Sequence, residues 1–203
     1  WAGMSGGDAF LHRCATMGLG GFSSHDSGFG FWNSPRIEAV AVVFMLIAGV
    51  NFALYFVALR KRSLAPLWRD PEARAFVATM VAMVVLVALY LDFHRSYPSF
   101  GECLRMAAFH VVSIATTTGF ASVDYLQWPP FVPALMLLLG CFATCAGSTG
   151  GGVKLVRVIL LLKQVRRELV RIVHPNVVNP VVYGGAAVGA RVMQSVIAFM
   201  MIY

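Results

Sequence analysis

Charge is what this sequence most lacks. Charged residues fill 12% of its 203 positions against 59% hydrophobic, and the mean hydropathy is +0.74. A soluble globular domain carries about 25% charged residues. So small a supply cannot clothe a folded chain in polar surface, which excludes an ordinary water-soluble domain and makes lipid the natural solvent. Cysteine is sparse too. Cys14 and Cys103 fall on short helical segments, Cys141 and Cys145 stand four apart, and neither a Cys-x-x-Cys pair nor a histidine nearby in sequence completes a metal set. Apolar packing is the default for such thiols. Acids are missing from the apolar runs, so an intramembrane enzyme has no paired aspartates there, and no Ser–His pair or His-Glu-x-x-His stretch replaces them. No signal peptide is read at the N-terminus, which begins on Trp1, and the C-terminus stops inside an apolar run. The expectation is an internal piece of a longer protein.

What is present is a series of apolar runs. Ala39–Leu59 has no charge and reaches the roughly 20 residues a helix needs to cross a bilayer core. Ala75–Leu91 is a second run, near the short end of the spanning range. Tyr125–Val153 is a third, long and broken by glycines, and Val192–Tyr203 begins a fourth that Gly184–Ala190 would extend backwards. The net charge of +7 sits mostly in short loops: Arg60, Lys61, Arg62, Arg69 and Arg74 after the first run, and Lys154, Arg157, Lys163, Arg166, Arg167 and Arg171 after the third. Such placement speaks for membrane orientation rather than nucleic acid, with both clusters on the cytoplasmic side. A surface helix touching anionic lipid is the plain reading of the second cluster.

The chain repeats itself. Gly21-Phe22-Ser23-Ser24-His25-Asp26 resembles Gly119-Phe120-Ala121-Ser122-Val123-Asp124, 98 positions on (21 to 119), and the same interval links Pro35 to Pro133 and Gly49 to Gly147. Upstream, Ser5-Gly6-Gly7-Asp8 matches Ser99-Phe100-Gly101-Glu102 at an interval of 94 (8 to 102), shorter by about one helical turn. The second copy should therefore carry a slightly longer helix before its turn. In each copy a serine followed three residues later by an acid starts a helix, as in a capping box. Asp8–Thr16 and Glu102–Ala115 are too short to span. A turn, a polar stretch, a proline and a full apolar helix follow. Charge parity puts both ends of 101–120 on the outer side, which makes it a re-entrant loop. Non-helical backbone at membrane depth is tolerated only where it lines a cavity or is buried in protein.

The turns read Thr16-Met17-Gly18-Leu19-Gly20-Gly21-Phe22 and Thr116-Thr117-Thr118-Gly119-Phe120. Glycine permits the backbone angles that aim successive carbonyls one way, and carbonyl oxygens can replace the hydration shell of an alkali cation. Neither turn contains an acid, which argues against a carboxylate site for a divalent ion. Asp26 and Asp124, five residues past each glycine, either gather cations at an outer vestibule or cap the loop. Ala146-Gly147-Ser148-Thr149-Gly150-Gly151-Gly152 should break its helix, since each glycine costs about 1 kcal/mol against alanine. It reads either as close helix packing or as an unwound segment lining a pore. A phosphate loop fits poorly, because Leu155 rather than Ser or Thr follows Lys154 and no strand precedes. His12, His94 and His110 are isolated in the sequence; ordinary packing or interface positions are the plain reading, and a proton relay is the alternative.

These three stretches, Ala15–Asp26, Ala115–Phe120 and Ala146–Lys154, resemble the Trk/Ktr potassium-uptake family over essentially the whole chain. The resemblance implies an all-α membrane protein of helix–pore loop–helix repeats, a potassium-channel-like pseudo-tetramer of which one and a half to two of four repeats are here. The implied divisions are 1–62 as the second repeat with an outward-to-inward helix, 63–74 as a cytoplasmic linker, 75–163 as the third repeat, 164–184 as another linker and 185–203 as the first helix of the fourth. It implies potassium held by filter carbonyls of Leu19, Gly20 and Gly21 and of Thr117, Thr118 and Gly119, with modest selectivity over sodium and no organic cofactor. It favours a gating loop of Gly147, Ser148, Thr149, Gly150, Gly151 and Gly152. It also implies a bacterial inner-membrane location, a homodimer, and a cytosolic nucleotide-binding (NAD or ATP) regulatory subunit as partner. The competing expectations are another sodium or potassium transporter of the same fold, or a polytopic scaffold without a pore.

Overall fold

Ser5 and Ser99 begin the two short helices as their spacing predicts. Ser5 Oγ accepts the Asp8 N–H at 3.2 Å and Ser99 Oγ accepts the Glu102 N–H at 3.3 Å, each satisfying a donor that a helix start otherwise leaves open. The structure, a computed structural model, describes residues 3–203. In chain order its helices are α1 (Gly6–Met17), α2 (Pro35–Gly49), α3 (Phe52–Lys61), α4 (Ala65–Arg69), α5 (Pro71–Phe93), α6 (Phe100–Ala115), α7 (Phe131–Phe142), α8 (Leu155–Val173) and α9 (Ala190–Ile202). A two-residue hairpin, β1 (Val182–Tyr183) and β2 (Ala186–Ala187), pairs Val182 with Ala187 and Tyr183 with Ala186. The two short helices have 12 and 16 residues, and their C-caps, Gly18 and Thr116, stand at the 98-residue interval. The four extra residues of α6 lie at its start, in line with the shorter upstream interval.

The core gathers around α6, which packs on α5, α2 and α7. Cys103, Ala107, Phe109, His110, Val111 and Ala115 on it are fully buried. Lipid supplies no hydrophobic drive between helices, so close packing through small side chains such as Ala88, Ala107 and Ala115 has to hold them together. On α5, Phe76, Met80, Val87 and Leu91 are buried, while Val77, Val81, Val85 and Leu89 are exposed. A helix apolar all round suits a membrane rather than water. Among the described residues α5 alone is long and apolar enough to cross by itself, with a mean hydropathy of 2.3 over its best 18-residue stretch.

Three expectations from sequence are corrected. Ala39–Leu59 is not one spanning helix, because α2 and α3 meet at 91°. Val50 is extended at the corner, and the Asn51 side chain accepts the Ala53 N–H at 2.9 Å, starting a new helix instead of continuing the old one. The third run is α-helical only over α7, after a short 3-10 turn at Tyr125–Gln127, and the chain is irregular from Ala143 to Lys154, wider than the glycine cluster predicts. Finally, α8 passes through position 163 unbroken, and the last helix does not reach back through Gly184, because Gly184-Gly185 closes the hairpin.

Candidate functional site

The two turns share one backbone pattern. Leu19 (φ 50°) and Gly21 (φ 68°) are left-handed, and so are Thr117 (φ 62°) and Gly119 (φ 86°) at the same interval, with the residue between each pair not left-handed. Leu19 and Thr117 in this region are strained, since a side chain disfavours it by roughly 1–2 kcal/mol. The amides are tied back to the preceding helices: Gly20 N–H donates to Ala15 O at 2.9 Å, Thr117 N–H to Ile114 O at 2.9 Å and Thr118 N–H to Ser113 O at 2.9 Å. Among the described residues, no hydrogen bond reaches the carbonyls of Leu19, Gly20, Gly21, Thr117, Thr118 or Gly119. Buried backbone acceptors are rarely left unpaired, and Leu19 and Thr118 are buried. Six in two matching turns form a set of free oxygens.

The fold brings the two turns together. A Cβ on Gly21 would overlap the Thr118 carbonyl oxygen, so only glycine permits both the φ angle and the approach. Beyond them the chains stay paired, with Phe29 N–H donating to Ala121 O at 3.0 Å. Gly21, Asp26, Gly119 and Asp124 line a common open cavity of about 600 Å³. Asp124 both lines it and caps a turn, accepting the Leu126 N–H at 3.1 Å and the Gln127 side-chain N–H at 3.1 Å. Asp26 is exposed at its edge.

Residues 143–154 sit against the opposite end of the turns. Gly151 N–H donates to Thr117 Oγ1 at 2.7 Å, and Thr149 Oγ1–H donates to Met17 O at 3.2 Å. One loop thus touches both turns at once. It also fills the corner between α2 and α3: Cys145 N–H donates to Gly49 O at 3.1 Å and Phe52 N–H to Gly147 O at 3.1 Å. Gly147, left-handed at φ 73°, lies against Asn51, where a Cβ would come within 2.7 Å of Oδ1. The loop explains the corner: a straight helix over Ala39–Leu59 would occupy its place. Ser148 turns inward, its Oγ–H donating to Cys145 O at 2.6 Å, and Thr144 Oγ1–H donates to Gly151 O at 2.9 Å. The Lys154 ammonium donates to Gly150 O.

His12 and His110 read as isolated in the sequence, and the structure corrects that for both. His12 and His110 stand at the 98-residue interval on α1 and α6. His110 Nδ1 donates to Met106 O at 2.9 Å, and its Nε2 accepts the Ser122 N–H at 3.2 Å and the Val123 N–H at 3.4 Å. His12 likewise pairs Nδ1 with Asp8 O at 2.8 Å and Nε2 with Ser23 Oγ at 3.0 Å. Each imidazole fastens the segment after the turn to the helix before it, and the repeat interval was the signal that finds them. Asp8, outside the spanning helices, accepts Ser24 Oγ–H and Ser5 Oγ–H, both at 2.7 Å. These bonds, that from Ser24 foremost, hold its carboxyl below the ordinary value of 3.8. Glu72 was also missed; its Oε1 accepts the Ala146 N–H at 2.8 Å and the Val156 N–H at 3.0 Å.

Short capped helices, paired turns and an interrupted helix beneath them define a pore-loop membrane fold. The sequence model of the TrkH family, described as "Cation transport protein", matches residues 2–203, and the chain belongs to that family. It is 44% identical over 203 residues to the Trk system potassium uptake protein TrkH of Escherichia coli K12, covering 100% of this chain and 42% of that one. It is 40% identical over 202 residues to the protein of that name from Halomonas elongata, again over 100% of this chain and 42% of the relative. The crystal structure of the potassium transporter TrkH from Vibrio parahaemolyticus matches with a TM-score of 0.94 at 41% identity, over 98% of this chain and 43% of that one. The chain therefore spans about two-fifths of the length of the relatives it matches.

Proposed function

We propose that this chain supplies two neighbouring filter turns and the gate of a potassium-uptake protein in the bacterial cytoplasmic membrane. The observation that carries the reading is the set of six carbonyls, of Leu19, Gly20, Gly21, Thr117, Thr118 and Gly119, that accept no hydrogen bond among the described residues while their turns pack together. A potassium ion shedding water there meets oxygens that replace its hydration shell. The C-terminal ends of α1 and α6 lead into the turns and add partial negative charge, about half a charge each, where the cation passes. Asp26 and Asp124 raise the local cation concentration at the outer cavity. The names of the relatives, potassium uptake proteins, agree with this substrate.

The loop of Gly147, Ser148, Thr149, Gly150, Gly151 and Gly152 is read as the gate, because it lies across the inner end of both turns and is bonded to each. Its ties to the two turns are single hydrogen bonds between neutral groups, each contributing about 0.5–1.5 kcal/mol, which suits a segment that must move. The basic residues of α8 support a position at the cytoplasmic surface, where a nucleotide-binding regulatory subunit would act; a homodimer is the proposed assembly. Rubidium uptake by the full-length protein tests both parts. Removal of residues from Ala146–Gly152 should raise uptake severalfold without loss of preference for rubidium over sodium. A deletion series with unchanged uptake would sink the gate, and a protein that passes no alkali ion would sink the filter.

A further inference from the structure

Glu72 lies in the first turn of α5 and is only 5% exposed. A buried carboxylate is costly unless its oxygens are met by donors. Here one oxygen, Oε1, receives two backbone N–H groups, from Ala146 at 2.8 Å and Val156 at 3.0 Å. Those amides flank the glycine cluster: Ala146 stands just before Gly147, and Val156 stands in the first turn of α8 beyond Gly152. The two ends of the loop are therefore held to one atom of a helix that belongs to neither of them. The remaining ties at the loop's tip, to Thr117 and Met17, are one hydrogen bond each, whereas Glu72 Oε1 holds two amides at once.

We propose that Glu72 is a positioning residue that clamps both ends of the intramembrane loop, keeping it seated under the filter turns, and that loosening this clamp frees the loop to move aside. The inference rests on the reading of the loop as gate, but the clamp itself does not. The loop is short, so with both ends gathered at Glu72 its tip has little slack and must stay near Thr117 and Met17. Two backbone bonds, Val153 N–H to Cys141 O at 2.7 Å and Leu155 N–H to Thr144 O at 2.8 Å, also close the base of the loop, so losing Glu72 frees the base from α5 while its two flanks stay joined. Lys154 and Asp70 are the other charged groups near this carboxylate. The Lys154 ammonium is engaged with Gly150 O inside the loop, and Asp70 Oδ2 accepts the Ala73 N–H at 2.7 Å, so neither replaces the clamp.

The test uses the full-length protein in lipid nanodiscs for amide exchange and in vesicles for rubidium flux. Glu72→Ala should speed exchange of the Ala146 and Val156 amides by about tenfold or more, leave the amides of Phe100–Ala115 unchanged, and raise flux by on the order of tenfold. Glu72→Gln, which keeps the shape and a weaker acceptor, should shift the same two amides by less. It carries the test if the alanine variant fails to assemble. Unchanged exchange at both amides, or loss of protection spread equally through α5 and α6, overturns the clamp. Faster exchange at the two amides with unchanged flux leaves the clamp standing and overturns the gate reading beneath it.

Discussion

Arg105 reaches from α6 to Glu38 on α2 and bonds both carboxylate oxygens, Nε to Oε2 at 2.6 Å and Nη2 to Oε1 at 2.9 Å, while Nη2 also donates to Asn33 Oδ1 at 3.1 Å. Glu38 is buried, so this fork is the charged tie between the two copies of the repeat.

Breaking that tie from one side should be worse than removing it. Arg105→Leu leaves a buried carboxylate uncompensated, and an orphaned buried charge costs about 3–5 kcal/mol. The double variant Arg105→Leu with Glu38→Leu should recover most of the loss. Thermal unfolding of the full-length protein in detergent, run as a double-mutant cycle, measures the difference. A loss in the double variant equal to the sum of the Arg105→Leu and Glu38→Leu losses would mean the pair contributes no coupling.

Gly21→Ala should stop conduction. The added Cβ overlaps the Thr118 carbonyl oxygen, and alanine at φ 68° carries a backbone strain of roughly 1–2 kcal/mol besides. Rubidium uptake should fall by more than about tenfold, since the misplaced carbonyl is one that would face the ion. Wild-type uptake with wild-type selectivity would show that Thr118 O does not line the path.

The partners of His110 assign its protons. A carbonyl at Nδ1 and two amides at Nε2 require a neutral ring protonated at Nδ1. Nitrogen NMR of labelled protein should report that tautomer. His110→Ala strips the Ser122 and Val123 amides of their acceptor, and a buried unsatisfied donor costs about 1–3 kcal/mol. The expected result is lower thermal stability together with greater sodium passage. Loss of stability alone would limit His110 to packing.

Asp8 ties the post-turn segment to the start of α1 through Ser24. Its carboxyl is depressed by the Ser24 and Ser5 hydroxyls, so its contribution is present above the unfolded value and is lost as pH falls through the lower folded one. The bond should therefore survive throughout neutral and mildly acidic conditions and fail only below about pH 3.8. Amide exchange of residues 23–27 followed against pH should rise there, and Asp8→Asn should bring the faster exchange to pH 7.

Much of this protein is written locally. Low charge, the serine caps, the two intervals and the positions of the short helices depend on neighbours a few residues apart, so the sequence by itself determines the membrane class, the repeat and the glycines of both turns. Tertiary structure alone decided the rest. The corner at Val50–Asn51 looks like uninterrupted helix in a run without charge, and it exists because the loop around Gly147, nearly a hundred residues later, takes the space. Glu72 reads as an ordinary first-turn acid, and only the return of the chain at Ala146 and Val156 makes it a clasp. Local preference is a matter of tenths to about one kcal/mol per residue. Competition for volume and the need to satisfy buried polar groups cost more, and their partners are chosen only once the chain has folded back on itself.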